Sequence, residues 1–217
     1  MEFDQNEIDV ILTDTKYQEQ LERSKLHAKE QRKQGNLRPD KIVDDDLIEF
    51  YGSNRNGNDP FGKWFSNCVF ARIIVDGKIN NSSEHYFQRE KFVICIDDKI
   101  KSWCRERKIP IEIQLKNNQL IYDKMATLSP VAVAKYGQTV RNAPIRSDWD
   151  EIRLSVMYKA LFAKFTQNKD FGEALKSTGA KVLIERAPTD SYWAVNHNGI
   201  GTNMLGVMLM VIRNIIE

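Results

Sequence analysis

Ser82-Ser83-Glu84-His85-Tyr86-Phe87-Gln88-Arg89-Glu90-Lys91-Phe92 is the stretch that decides how this chain is read. Two serines stand where a helix would begin, and a hydroxyl there accepts a backbone N–H of the first turn. Glu84 follows in that turn, where the positive end of the helix favours an anion. At about 100° per residue, Glu84, Gln88 and Lys91 share one stripe. Tyr86, Phe87, Val93 and Ile94 lie on the other side and have the character of core. One helix would then bury an aromatic face and line up a carboxylate, an amide and an amine along its flank. A surface helix carrying a Glu–Lys pair two turns apart is the alternative.

Composition frames that stretch. The 217 residues are 41% hydrophobic and 29% charged, with a net charge of +2, which suits one globular domain and no partner in particular. Residues 1–45 hold 8 Lys and Arg against 11 Asp and Glu, and the remainder 24 against 19. A mildly basic core is compatible with a phosphate-bearing ligand. Cys68, Cys95 and Cys104 match no zinc or redox spacing and read as reduced thiols of an intracellular, cytoplasmic protein. His27, His85 and His197 are too scattered for a histidine-rich metal site. The N-terminus is acidic and polar, unlike a signal peptide. The longest apolar run, Met204 to Ile212, is far short of the roughly 20 residues that span a bilayer, so no membrane is expected.

Outward from the helix, residues 1–39 predict one weakly amphipathic helix ending near Gly35, with Pro39 beyond it. Residues 46–51 predict a strand, and Gly52 to Gly62 a polar loop. That loop leads to Trp64-Phe65-Ser66-Asn67, either a binding wall or, for Trp64, a core plug. Val69 to Val75 reads as a strand, with Asp76-Gly77 as a hairpin turn. Lys99 to Lys108 reads as a helix. After it, residues 109–115 and 119–122 read as a hairpin around Lys116-Asn117-Asn118. Ser129-Pro130 opens a helix that Gly137 ends. Arg141 to Asp148 is a polar loop. Trp149 to Phe165 has apolar residues every three or four positions and predicts a long core-facing helix. Lys169 to Ser177 is a short helix, Lys181 to Glu185 a strand, and Met204 to Ile216 a buried helix. The turn Asn198-Gly199-Ile200-Gly201-Thr202-Asn203 before that helix either cradles a phosphate or simply connects.

Several motifs stand in order: Glu49-Phe50-Tyr51, Phe65-Ser66-Asn67, Ser83 to Phe92, Ser129-Pro130, Arg146-x-x-Trp149, Lys164-Phe165-x-Gln167-Asn168, Asp190-x-Tyr192-Trp193, and Gly201-x-Asn203-x-Leu205-Gly206-x-x-Leu209-Met210. As a set, over residues 46–213, this resembles the NADAR family. The resemblance implies a single compact α+β domain, mostly helical with a small sheet, spanning 46–217 after an N-terminal helical extension, 1–45. Residues 97–125 would be an insertion. It also implies an N-glycosidase, a hydrolase of N-glycosyl bonds. By resemblance its substrates are ADP-ribosylated guanine in DNA or nucleotides, or phosphorylated riboflavin-pathway intermediates. The first activity implies functional pairing with a DNA ADP-ribosyltransferase toxin. A non-catalytic ADP-ribose reader is a further alternative. Ala194 departs from the glycine usual after Tyr192-Trp193.

Breaking a ribose C1–N bond builds positive charge on the sugar, which a carboxylate stabilises. Glu84 and Asp190 are the carboxylates expected there. Lys91 is expected as an amine that attacks the anomeric carbon, which requires a lowered pKa. Phe65, Ser66, Asn67, His85 and Gln88 are expected to line the substrate. Trp149 and Trp193 would stack on a ring, while Arg146 and the loop holding Gly201 and Asn203 would hold phosphates. The chemistry calls for no metal and no cofactor.

Overall fold

A computed structural model describes residues 3–36, 40–52, 60–94 and 96–216. Most of the expected 52–62 loop, together with Pro39 and Cys95, lies outside these residues. The described chain is mostly helical, with two small sheets, which makes it α+β. It divides into two compact units, one made of residues 1–69 with 168–217 and the other of the continuous stretch 70–167.

The first unit is built on a parallel sheet ordered β1-β4-β5, from β1 (Leu47–Phe50), β4 (Val182–Ala187) and β5 (Val195–Asn196). Every residue of β1 is buried, as expected of a parallel strand covered on both faces. α10 (Met204–Ile216) packs on β4 so closely that a Cβ at Gly206 would stand 2.0 Å from the Leu183 carbonyl oxygen. α3 (Gly62–Phe65) and α9 (Lys169–Lys176) pack together in the same unit.

The N-terminal segment corrects one expectation. It forms two helices, α1 (Gln5–Thr13) and α2 (Thr15–Lys33), because Asp14 leaves the helical region and caps the second through the Tyr17 N–H. Both helices pack within the first unit. Ile8, Tyr17, Leu21 and Ala28 are buried, the Tyr17 hydroxyl donates to the Thr202 carbonyl, and Ser24 donates to Glu49. Packing therefore puts residues 1–45 in the same unit as β1 and α10.

The second unit is organised around α4 (Ser83–Glu90), on which α6 (Ile111–Ala126), α7 (Pro130–Thr139) and α8 (Trp149–Gln167) all pack. Ser82 caps α4 by accepting the His85 N–H, as its position foretells. All eight residues of α4 are buried, so the surface-helix alternative does not hold. Asp76 and Gly77 both take positive φ, 49° and 73°, in the turn joining β2 (Ile73–Val75) to β3 (Lys78–Asn80). That is the primed turn an Asp-Gly pair favours. Gly137 does not end α7. It lies inside the helix, where a Cβ would meet Gln88 Oε1 at 2.1 Å.

The helix expected at Lys99 to Lys108 is α5 (Asp98–Glu106), but the expected hairpin within 109–122 is replaced by the continuous α6. Ile109, Ile111 and Ile113 suggest alternation, and Asn117-Asn118 suggests a turn. Instead Gln114, Asn118, Ile121, Tyr122 and Met125 form one buried helical face. The Asn118 amide finds acceptors far along the chain, donating to the Phe92 and Pro144 carbonyls at 3.1 and 3.2 Å. Those partners, invisible in local sequence, make a turn-forming residue acceptable in mid-helix.

Candidate active site

Within the second unit the stripe on α4 survives as a connected group. Gln88 Nε2 donates to Glu84 Oε1 at 2.6 Å. Glu84 is 8% exposed and Gln88 3%. Since the carboxylate can only accept, the Gln88 amide is oriented, and its Oε1 is left buried without a hydrogen-bond partner. Ser83 Oγ, one residue before Glu84, is likewise buried and unpaired. Lys91 lies at the C-terminal cap of α4, half-buried, with Nζ 5.1 Å from the Phe87 ring centroid and 5.6 Å from that of Trp149. Phe87 and Trp149 meet edge to face at 4.9 Å. Burial pushes the Lys91 ammonium below the usual lysine range, while the Glu84 charge partly restores it.

The other expected residues of this unit have fixed duties. His85 is 1% exposed, with Nδ1 2.7 Å from Ser82 Oγ and Nε2 3.0 Å from the Leu128 carbonyl oxygen. A carbonyl only accepts, so Nε2 carries a proton. Burial, opposed by the Leu128 bond and aided by Arg89, lowers the His85 pKa. Both ring nitrogens are thereby used, Nδ1 at the N-terminal cap of α4 and Nε2 at the turn before α7, where the sequence suggests a substrate contact. Arg146 grips Asp148 through two hydrogen bonds of 2.6 and 2.9 Å and lies 3.6 Å from Glu90. Its backbone N–H donates to the Lys91 carbonyl, which puts it beside the site with its guanidinium already paired.

In the first unit, Asp190 Oδ1 accepts the backbone N–H groups of Tyr192 and Trp193, each at 2.8 Å. Trp193 meets Tyr192 edge to face at 5.0 Å. Asn203 is fully buried, accepting from the Glu185 N–H and donating to the Leu183 carbonyl, so its amide extends the edge of β4. The Asn203 side chain is thus committed to β4. Gly201 has a comparable reason to be glycine, since a Cβ there would stand 2.0 Å from the Ala194 carbonyl oxygen. The glycine turn is thus read as a tight connection. Phe65 is 0% exposed, 5.4 Å from Phe50 and 5.8 Å from Phe61; it is core, another correction. Ser66 accepts the Cys68 N–H, and Asn67 keeps a buried Oδ1 with no hydrogen-bond partner.

Glu49 is a feature that spacing did not single out chemically. It is 0% exposed and accepts from Ser24 Oγ at 2.5 Å, the Ile42 N–H at 2.9 Å and Arg186 Nη1 at 2.8 Å. No sequence signal links positions 137 residues apart, though a carboxylate inside an apolar strand announces that a partner must exist.

A model of the NADAR domain matches residues 49–217. The chain belongs to the NADAR family. This NADAR protein is 34% identical to N-glycosidase YbiA of Shigella boydii serotype 4 over 172 residues, 79% of this chain and 89% of that one. It is 33% identical over 134 residues to the chloroplastic riboflavin biosynthesis protein PYRR of Zea mays, covering 60% of this chain and 19% of that protein. The NMR structure of Escherichia coli YbiA matches it with a TM-score of 0.58 at 32% identity, over 82% of this chain and 88% of the other. That match, at this identity, agrees with the mostly helical α+β fold. Among the described residues no helix is long and apolar enough to cross a membrane, and no group of three His, Cys, Asp or Glu is placed to hold a metal ion.

Proposed function

We propose that this NADAR protein, an N-glycosidase, hydrolyses the bond between ribose C1 and the nitrogen of ADP-ribosylated guanine. The observation that carries the reading is the Glu84–Gln88–Lys91 stripe, a buried carboxylate held by an amide beside an amine whose charge burial disfavours. As the C1–N bond breaks, its electron pair leaves with the base, which takes up a proton. Glu84 stabilises the cationic ring. The neutral Lys91 amine adds to C1 and loses a proton, and the ring C1–O bond opens to give an imine. Water then adds and releases the lysine with a free sugar. Trp149 offers an indole face of a size to stack on a purine. The buried, unpaired Ser83 Oγ supports a bound substrate group, since an unpaired buried polar group costs about 1–3 kcal/mol. A second reading, phosphorylated riboflavin-pathway N-glycosides, is favoured by the likeness to the maize protein. A cytoplasmic setting and a toxin partner accompany the first reading.

Incubation with ADP-ribosylated guanine and with riboflavin intermediates, followed by mass spectrometry, distinguishes the two by which base is released. Borohydride added during turnover should leave a stable adduct on the peptide containing Lys91. Lys91→Arg should abolish adduct and turnover together, because arginine offers no neutral amine near pH 7. Retained turnover without an adduct would reduce Lys91 to a binding group, and an adduct on Lys164 would move the role to another residue.

A further inference from the structure

Between α5 and the start of α6 lies a groove of about 480 Å³ whose lining holds three cations and one carboxylate, Asp98. Lys101, Arg105 and Lys108 line it, at spacings of four and three residues along α5 and its C-terminal turn. Lys101 and Arg105 lie about 40° apart around α5, Lys108 follows two residues beyond its last helical residue, and all three are exposed. Lys101 is 3.3 Å from Asp98, whose side chain is 98% exposed, so that pair is worth little. Arg105 and Lys108 have no carboxylate within ion-pair distance among the described residues. Lys108 takes a φ of 54°, a conformation that costs a side-chain-bearing residue about 1 kcal/mol and that glycine would adopt freely. Ile109, Pro110 and Ile111 supply an apolar side to the groove.

The groove is indexed to the candidate active site. Asp97 caps α5 through the Ile100 N–H and accepts a hydrogen bond from Ser147 Oγ. Ser147 follows Arg146, whose N–H donates to the Lys91 carbonyl at 2.9 Å. α6 is tied to the same place, because Asn118 binds the carbonyls of Phe92 and Pro144. Two hydrogen bonds and one peptide unit therefore join the start of α5 to Lys91.

We infer that the α5–α6 groove is a docking surface for the phosphate backbone of a single nucleic acid strand. Three exposed cations lining one groove match the closely repeated negative charge of a phosphate backbone. The inference deepens the proposed function and rests on it in one respect: the strand is the continuation of the one carrying the modified guanine.

The test uses a fluorescent, unmodified 12-nucleotide oligothymidylate and reads anisotropy from 50 to 200 mM salt. Neutralising three phosphates predicts a log–log slope of about −2. The full-length variant carrying Lys101→Gln, Arg105→Gln and Lys108→Asn should bind at least about ten-fold more weakly, with the slope near zero. Asparagine is chosen because it tolerates the positive φ. The variant should cleave a modified mononucleotide within two-fold of the parent and a modified oligonucleotide with a KM about ten-fold higher. Should the triple change unfold the protein, Arg105→Gln alone should lower the slope by about 0.7. Unchanged oligonucleotide binding in a folded variant overturns the inference. So does equal competition by polyglutamate of matched charge, or by inorganic phosphate at matched concentration, since these mark an acidic-protein face or an isolated anion site. If the strand binds through this stripe but no guanine substrate is cleaved, the docking surface stands and the proposed substrate falls.

Discussion

Two buried carboxylates, one in each unit, are treated in opposite ways. Glu49 is held by the permanently charged Arg186 guanidinium, a serine hydroxyl and a backbone N–H. Glu84 takes its hydrogen bond from a neutral amide, and its cationic neighbour is an amine whose charge burial disfavours. A guanidinium cannot give up its proton, so the Glu49 pair is fixed and serves the sheet. The amine can, so the Glu84 group can change its net charge during a reaction. Equal burial therefore says little about role, and the titration behaviour of the neighbour says much.

The largest expected effect breaks the fixed side of this comparison. Arg186→Met leaves Glu49 buried beside Ser24 and the Ile42 N–H with no guanidinium. Loss of one partner of a buried pair costs about 3–5 kcal/mol, to be read from urea unfolding. A loss under 1 kcal/mol would show that Glu49 does not depend on this partner.

Next comes the chemical side. Glu84→Gln should lower turnover about 100-fold, roughly 2.7 kcal/mol of transition-state stabilisation, with little change in substrate affinity. The same variant sharpens the argument about Lys91. Burial lowers the lysine pKa and Glu84 opposes that shift, so removing the anion should lower it further. Imine trapping, which needs the neutral amine, should rise with pH in the parent below the ordinary lysine range. In Glu84→Gln the midpoint should move to lower pH. The linkage to stability has the matching sign. A lysine with a depressed folded pKa favours folding fully only above its unfolded pKa, and that contribution is lost as pH falls toward the folded value. A midpoint that rises in Glu84→Gln would contradict the electrostatic coupling.

The smallest effect tests the support beneath Glu84. Gly137→Ala places a methyl 2.1 Å from Gln88 Oε1, so the amide must move away from Glu84. Overpacking of about 1–3 kcal/mol is offset by up to about 1 kcal/mol of helix propensity. Stability should thus change modestly while turnover drops about ten-fold. Unfolding midpoint and turnover measured together separate these effects, and unchanged turnover would free Glu84 from dependence on Gln88.

Local rules carried the reading where the determinants are local. The Ser82 cap, the Asp76-Gly77 turn, α8 and α10 follow from hydroxyl capping, positive φ and apolar periodicity. The Glu84–Gln88 bond is likewise a matter of i, i+4 spacing. Sequence misled where a polar side chain is satisfied from afar. Asn118 reads as a turn residue until its Phe92 and Pro144 acceptors are known. Asn203 and His85 read as ligand groups until β4 and Leu128 are seen to use them. The aromatic pair Trp64-Phe65 carried no signal to separate core from wall, and burial decided it for Phe65.

The interrupted chain path of the first unit has a consequence for synthesis. Its sheet joins β1 to β4, and Glu49 waits for an arginine 137 residues later. The second unit is one continuous stretch, 70–167. On a ribosome, that stretch is complete while β1 still lacks its neighbour. Non-local pairing is slow to close, so the middle of the chain should gain protease resistance first. Nascent chains arrested soon after residue 200 should show a protected 70–167 core with β1 still cleavable. Until β4 emerges with Arg186, Glu49 lacks its guanidinium and the first unit stays open, and a buried charge thereby acts as a timer on the order of assembly.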